Sequence, residues 1–193
     1  MNKKPFGLDI GATTIKLVFL EGQKGGYIYK ASLIAPVSAK GMLSESPLDE
    51  EEMAQTIRKA VNDANIDSKY VNVALAENQV YTKVLEMPVL SDRELASAIY
   101  WEAEQYIPVP LTNVALTWNV MKKPDHPVPA DKMQVLMVGA PTMLIKKYQK
   151  ILLMADLVIN SMETEILSTI RSLVLGENFP PTLIISIGAV STS

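Results

Sequence analysis

Two short stretches carry the residue types most able to hold an anion. Residues 7–16 read GLDIGATTIK and residues 184–193 read IISIGAVSTS. Each is an apolar run that enters I-G-A and continues into hydroxyl side chains. A strand turning through D-I-G-A-T-T into a second strand exposes several backbone N–H groups at its turn, a geometry able to cradle phosphate oxygens. Asp9 at the strand end would orient a metal-bound water, and Lys16 would reach a phosphate as a point charge. The same residues also suit an ordinary β-hairpin in which Asp9 caps its own turn and Lys16 is solvated. The repetition favours the first reading, because two such turns on strands of one sheet could grip a phosphate chain from both sides. One position differs in kind: Asp9 in the first copy is matched by Ser186 in the second.

Competing chemistry is sparse. The chain has no cysteine, which removes disulfides, thiolate metal sites and one class of nucleophile. Its one histidine, His126, sits in the proline-rich stretch KPDHPVPA and reads as an exposed loop residue rather than a ligand. Neither G-x-x-x-x-G-K-[ST] nor G-x-G-x-x-G occurs. A formal charge of -3, from 18 basic and 21 acidic residues, argues against nucleic-acid binding through phosphates. With 193 residues, 48% of them apolar, the chain can fill one large core or two small ones. It shows no signal-like apolar start and nothing near the roughly 20 apolar residues of a membrane helix. A cytosolic location is expected, with any membrane contact made through a partner.

The elements that must position the two stretches follow from periodicity. Leu8 to Leu20 alternates as strand, turn and strand, and after EGQKGG the stretch YIYKASLIAP returns as a further strand. SPLDEEEMAQTIRKAVNDAN predicts a helix with Ser46 as N-cap, Pro47 in its first turn, and Met53, Ile57, Ala60, Val61 and Ala64 on one face. YVNVALA predicts a strand. A unit patterned strand, helix, strand, strand, helix then spans residues 78–155. Its first helix starts at a capping box, Ser91 with Glu94, and ends before Pro108. Beyond it, Asp156 marks a turn, LVINSM a strand, ETEILSTIRSLVLG a helix opened by Glu163 and closed by Gly176, and TLIISIG a last strand. The layout is α/β with an inserted α/β unit: residues 1–77, the insert 78–155, and the return 156–193.

The paired hairpins resemble the phosphate-1 and phosphate-2 loops of the actin, Hsp70 and sugar kinase superfamily. Within it, GLDIGATTIKLV, WEAEQYIPVP and IGAVSTS resemble the PilM family of type IV pilus assembly proteins, which is similar to FtsA. The resemblance covers the whole chain. It implies an actin-like, ribonuclease H-like subdomain 1A interrupted by an FtsA-like 1C insert and ending inside the phosphate-2 hairpin, without the second actin-like domain of the family. Carried over residue by residue, Asp9, Gly11, Ala12, Thr13, Thr14 and Lys16 form the first ATP loop, and Gly188, Ala189 and Ser191 the second. The resemblance implies ATP and Mg²⁺ in the full-length parent, with Asp9 meeting the metal; for this chain alone no bound nucleotide and no measurable activity are expected. Ser186 lacks the charge of the aspartate that relatives place there, and Glu163 is a candidate for orienting water, although a helix-start carboxylate explains it as well.

The resemblance also implies a partner: the cytoplasmic N-terminal peptide of the inner-membrane protein PilN, held in a groove between 1A and 1C. Val73, Leu75, Tyr81, Lys83 and Leu85 are the candidate contacts, all of which equally suit strand core. Trp101 and Tyr106, on the helix that carries the family signature, suit either packing or a groove wall. Self-association, an ATP-dependent phosphotransferase or ATPase activity, and kinship to FtsA or to type II secretion proteins are the alternatives the residues leave open.

Overall fold

The computed structural model describes residues 4–37, 42, 44–125, 128, 130–173, 180–190 and 192. In chain order its elements are β1 (Phe6–Ile10), β2 (Thr14–Gln23), β3 (Gly26–Pro36), α1 (Pro47–Asp63), β4 (Tyr70–Leu75), β5 (Tyr81–Pro88) and α2 (Asp92–Tyr106). There follow β6 (Val114–Lys122), β7 (Lys132–Pro141), α3 (Thr142–Met154), β8 (Val158–Thr164) and α4 (Glu165–Leu173). The chain divides into two compact units, Met1–Glu77 with Lys147–Ser193, and Asn78–Lys146. His126, Gly176 and Ser191 lie outside the described residues.

The first unit is built on a sheet of order β3-β2-β1-β4-β8. β1, β2 and β3 form an antiparallel meander, while β4 pairs parallel with both β1 and β8. Alternation decides which face is inside: Phe6, Leu8 and Ile10 are buried, as are Ile15, Leu17 and Phe19 on β2 and Val71, Val73 and Leu75 on β4. Met53, Ile57, Ala60 and Val61 of α1 and Tyr148, Ile151 and Leu152 of α3 are buried in the same unit. α1 begins at Pro47 with Asp49 and Glu50 in its first turn, where the helix dipole favours negative charge. Ser46 takes the N-cap position but its side chain caps nothing. Ser44 instead braces the entry to the helix, its hydroxyl donating to the Asp49 carboxylate and accepting from the Ser46 backbone N–H at 3.2 Å.

Two expectations shift. β8 runs on to Thr164, so Glu163 lies in the strand opposite Ala74, paired with Arg171, and α4 opens at Glu165 instead. TLIISIG joins neither sheet. It is extended, with Leu183, Ile185 and Ile187 exposed, and among the described residues the expected second hairpin shows one antiparallel bridge, Ile187 to Thr192. Alternation supplies the side-chain pattern of a strand, but a strand exists only where a neighbour accepts its backbone bonds.

The second unit is an antiparallel sheet of order β5-β7-β6 with α2. The capping box forms as expected: the Glu94 backbone N–H donates to the Ser91 hydroxyl at 3.5 Å, and the Ser91 backbone N–H to Glu94 Oε2 at 3.0 Å. Leu95, Ile99 and Ala103 then recur every four residues and carry on through Ile107 into a core with Leu85, Met87, Val114, Met133, Val135 and Met137. Trp101 stays 68% exposed, whereas Tyr106 donates to the Thr82 carbonyl at 3.2 Å.

Candidate phosphate-binding site

β1 turns into β2 through Gly11, Ala12 and Thr13. The Gly11 N–H donates to the Thr14 carbonyl at 2.9 Å, and a Cβ on residue 11 would stand 3.1 Å from that same oxygen, so glycine permits the closure. The Thr13 carbonyl accepts from Val37 N–H at 2.9 Å, tying the turn to the end of β3. Ala12 and Thr13 are left exposed at the tip. Beneath it Asp9 and Lys16 are cross-strand partners, and the Lys16 ammonium donates to Asp9 Oδ2 at 2.7 Å. That bond raises the Lys16 pKa above its ordinary value, against the opposing effect of burial.

The three parallel strands point their C-terminal ends the same way, the place where open α/β sheets receive ligands. Asp9 stands near the end of β1, Glu77 follows β4, and Glu165 follows β8. Burial raises the Glu165 pKa first, and the negative charge of Asp9 adds to it, with Lys16 opposing. Thr164 is buried, its hydroxyl accepting from the Leu167 N–H at 3.5 Å at the start of α4. Tyr148, on α3, is buried, and its phenol is pushed up by desolvation and then by the charges of Asp9 and Glu165. Two polar atoms of this group, Tyr148 Oη and Glu77 Oε2, are buried without a hydrogen-bond partner.

These residues suit a hydrated ion better than a bare one. Among the described residues no set of three or more histidine or acidic side chains converges to hold a metal directly. Asp9 is engaged by Lys16 in this structure, so a metal would be met through water.

The sequence-derived residues divide accordingly. Asp9, Gly11, Ala12, Thr13, Thr14 and Lys16 form one continuous hairpin. Gly188 and Ala189 are exposed on the extended segment, and among the described residues no hydrogen bond joins that segment to the hairpin. Of the partner-binding candidates, Val73 and Leu75 are enclosed in the first unit and Leu85 in the core of the second. Tyr81 is half-buried at the edge of that core. Lys83 pairs with Glu102 at 3.6 Å, its ammonium 5.0 Å from the centre of the Tyr106 ring. Glu77, Tyr148 and Glu165 escaped sequence reasoning. For Glu165 the signal was present two residues away, at Glu163, and was displaced by the strand boundary. Tyr148 sits inside KKYQK, where the flanking lysines suggest a solvated face.

A family model described as type IV pilus assembly protein PilM matches residues 7–189. Among solved structures, the chain is similar to one from the "PilM-PilN type IV pilus biogenesis complex", with a TM-score of 0.77 and 26% identity, over 90% of this chain and 51% of that one. It is similar in fold alone to the cytoplasmic domain of EpsL, an inner-membrane component of the type II secretion system of Vibrio cholerae, with a TM-score of 0.50 and 14% identity, over 81% of this chain and 56% of that one. The chain thus spans about half the length of the PilM chain it matches. The expected mixed α/β fold is shared with that chain.

Proposed function

The chain belongs to the type IV pilus assembly protein PilM family, and from that premise we propose that it is the partner-binding part of a pilus-assembly scaffold. Its partner in this reading is the cytoplasmic N-terminal segment of a PilN-type inner-membrane protein. The observation that carries the reading is the likeness, over 90% of this chain, to a PilM chain solved in complex with PilN. Among the described residues no helix is long and apolar enough to cross a membrane, so recruitment to the inner membrane would run through the partner. Tyr81 and Lys83 are the candidate contacts with accessible side chains. A short segment that orders on binding loses entropy, which its buried anchors must offset.

The hairpin adds a nucleotide to this reading. ATP with Mg²⁺ would supply a phosphate chain and a hydrated cation. Ala12 and Thr13 would present the tip of the turn, Lys16 would leave Asp9 for phosphate oxygens, and Asp9 would turn to the water around the cation. Gly188, Ala189 and Ser191 would approach from the second loop. A phosphotransferase or ATPase is the second reading, favoured by Asp9, Lys16 and Glu165 together. Ser186 weighs against it, since serine brings no charge to hold a hydrated cation.

The test is a titration of a labelled PilN N-terminal peptide into the folded chain, with and without Mg-ATP. Saturable binding supports the adaptor. Absence of binding, with turnover of ATP, supports the enzyme.

A further inference from the structure

The first unit holds a strand without a sheet and a sheet edge without a strand. Residues 182–187 run extended, with Leu183, Ile185 and Ile187 83%, 60% and 81% exposed and Ile184 and Ser186 half-buried between them. Among the described residues this stretch makes one bridge, Ile187 to Thr192 within its own segment, and joins neither sheet. The edge is β3, the outermost strand of the order β3-β2-β1-β4-β8. Past the register shift at Phe19/Leu20 its pairing with β2 runs unbroken from Ala31 to Pro36, so residues 31–35 present a regular free edge. Ala31, Leu33 and Ala35 lie opposite the buried Phe19, Leu17 and Ile15 yet are only half-buried, which leaves the core thinly covered along this edge. On the other face Ile34 is 71% exposed.

The two surfaces suit one another. Edge strands are ordinarily kept from pairing by a charge, a proline or a bulge. Residues 31–35 carry none of these, and the neighbouring Lys30 is held by Glu21 at 2.9 Å. Residues 182–187 carry no charge either, so nothing repels one from the other. The opposite edge, β8, is a poorer match: Asn160 and Ser161 both donate to Asn72, and Glu163 pairs with Arg171. On β3, alternation would let Leu183, Ile185 and Ile187 extend the row of Ala31, Leu33 and Ala35 over the core, with Ile184 and Ser186 beside Ser32 and Ile34. The segment does not reach the β3 of its own chain in this structure, whereas every further copy brings the same free edge.

We propose that residues 182–187 of one copy add as a strand to the β3 edge, residues 31–35, of a second copy of this chain. Main-chain hydrogen bonds supply the affinity of such an addition, and the alternating apolar rows set its register. The contact is heterologous, a segment on one copy and an edge on the other, rather than one patch meeting itself. It depends on neither the PilN reading nor the nucleotide reading.

The experiment follows association by sedimentation velocity over the micromolar range for the wild type, Ile185→Lys, Ile34→Lys and an equal mixture of the two variants, with circular dichroism on each sample. Both substituted side chains are exposed, so the fold is expected to be kept, and Leu183→Lys repeats the test on the segment at a more exposed site. The wild type is expected to associate reversibly. Each variant alone should associate about thirtyfold more weakly, the loss of one central anchor. The mixture should form a one-to-one dimer, because the Ile34→Lys chain keeps its segment and the Ile185→Lys chain keeps its edge. A monomeric wild type overturns the proposal, as does either variant associating as the wild type does. A mixture that stays as monomeric as its components also overturns it, and would assign the contact to a patch that meets its own copy.

Discussion

Lys16 and Asp9 sit directly opposite one another on β2 and β1, and the lysine ammonium donates to the aspartate carboxylate at 2.7 Å. These two residues of the β1–β2 hairpin thus satisfy each other. With half of the lysine side chain exposed, the pair is worth about 1 kcal/mol or less to the fold. Lys16→Met is therefore expected to leave the melting temperature nearly unchanged while weakening ATP-analogue binding by about tenfold, the loss of one charge-assisted contact. Thermal melting and a fluorescence titration on the same samples check both halves.

Glu165 predicts a pH dependence with a definite sign. Its folded pKa lies above the ordinary 4.5, because burial and the charge of Asp9 disfavour the ionised form. The folded state therefore binds its proton more tightly than the unfolded state, and this contribution is present at low pH and lost as pH rises through the folded pKa. Glu165→Gln should melt above the wild type at pH 7, and the gain should vanish at pH below 4.5. An equal gain at both values would assign the effect to packing instead.

The second unit predicts its own core. Ile99 is fully buried on the face of α2 that meets the sheet, so Ile99→Ala should cost about 2–5 kcal/mol in denaturant unfolding. Gly139→Ala tests the opposite error. A Cβ there would stand 2.8 Å from Ile107 Cδ1 and 3.1 Å from Val114 Cγ1, and the crowding should cost about 1–3 kcal/mol.

Much of this architecture was readable from the chain because its signals are local. Alternation over residues 6–20, the proline and acids that open α1, and the reciprocal Ser91–Glu94 cap each depend on neighbours within a turn or two. What was not readable depends on distant partners. The period of TLIISIG announces a strand, but nothing in it says whether a sheet edge will receive it. The end of β8 was misplaced by two residues because its pairing with β4 carries it through Thr164, and that moved the helix-opening carboxylate from Glu163 to Glu165. Tyr148 joins Asp9 and Glu165 only through the fold. Val73, Leu75 and Leu85 show a different limit: a strand apolar enough to line a groove is apolar enough to be core, and these three are core.

The adaptor reading rests on binding, and binding should be measured first. A labelled peptide of the cytoplasmic N-terminal segment of the PilN partner, titrated into this chain after its fold is verified by circular dichroism, should saturate near micromolar affinity, about -8 kcal/mol. Lys83→Glu should alter that affinity without altering the melting temperature. A folded chain on which the peptide never saturates, at concentrations a hundredfold higher, would contradict the assignment of PilN binding to these residues.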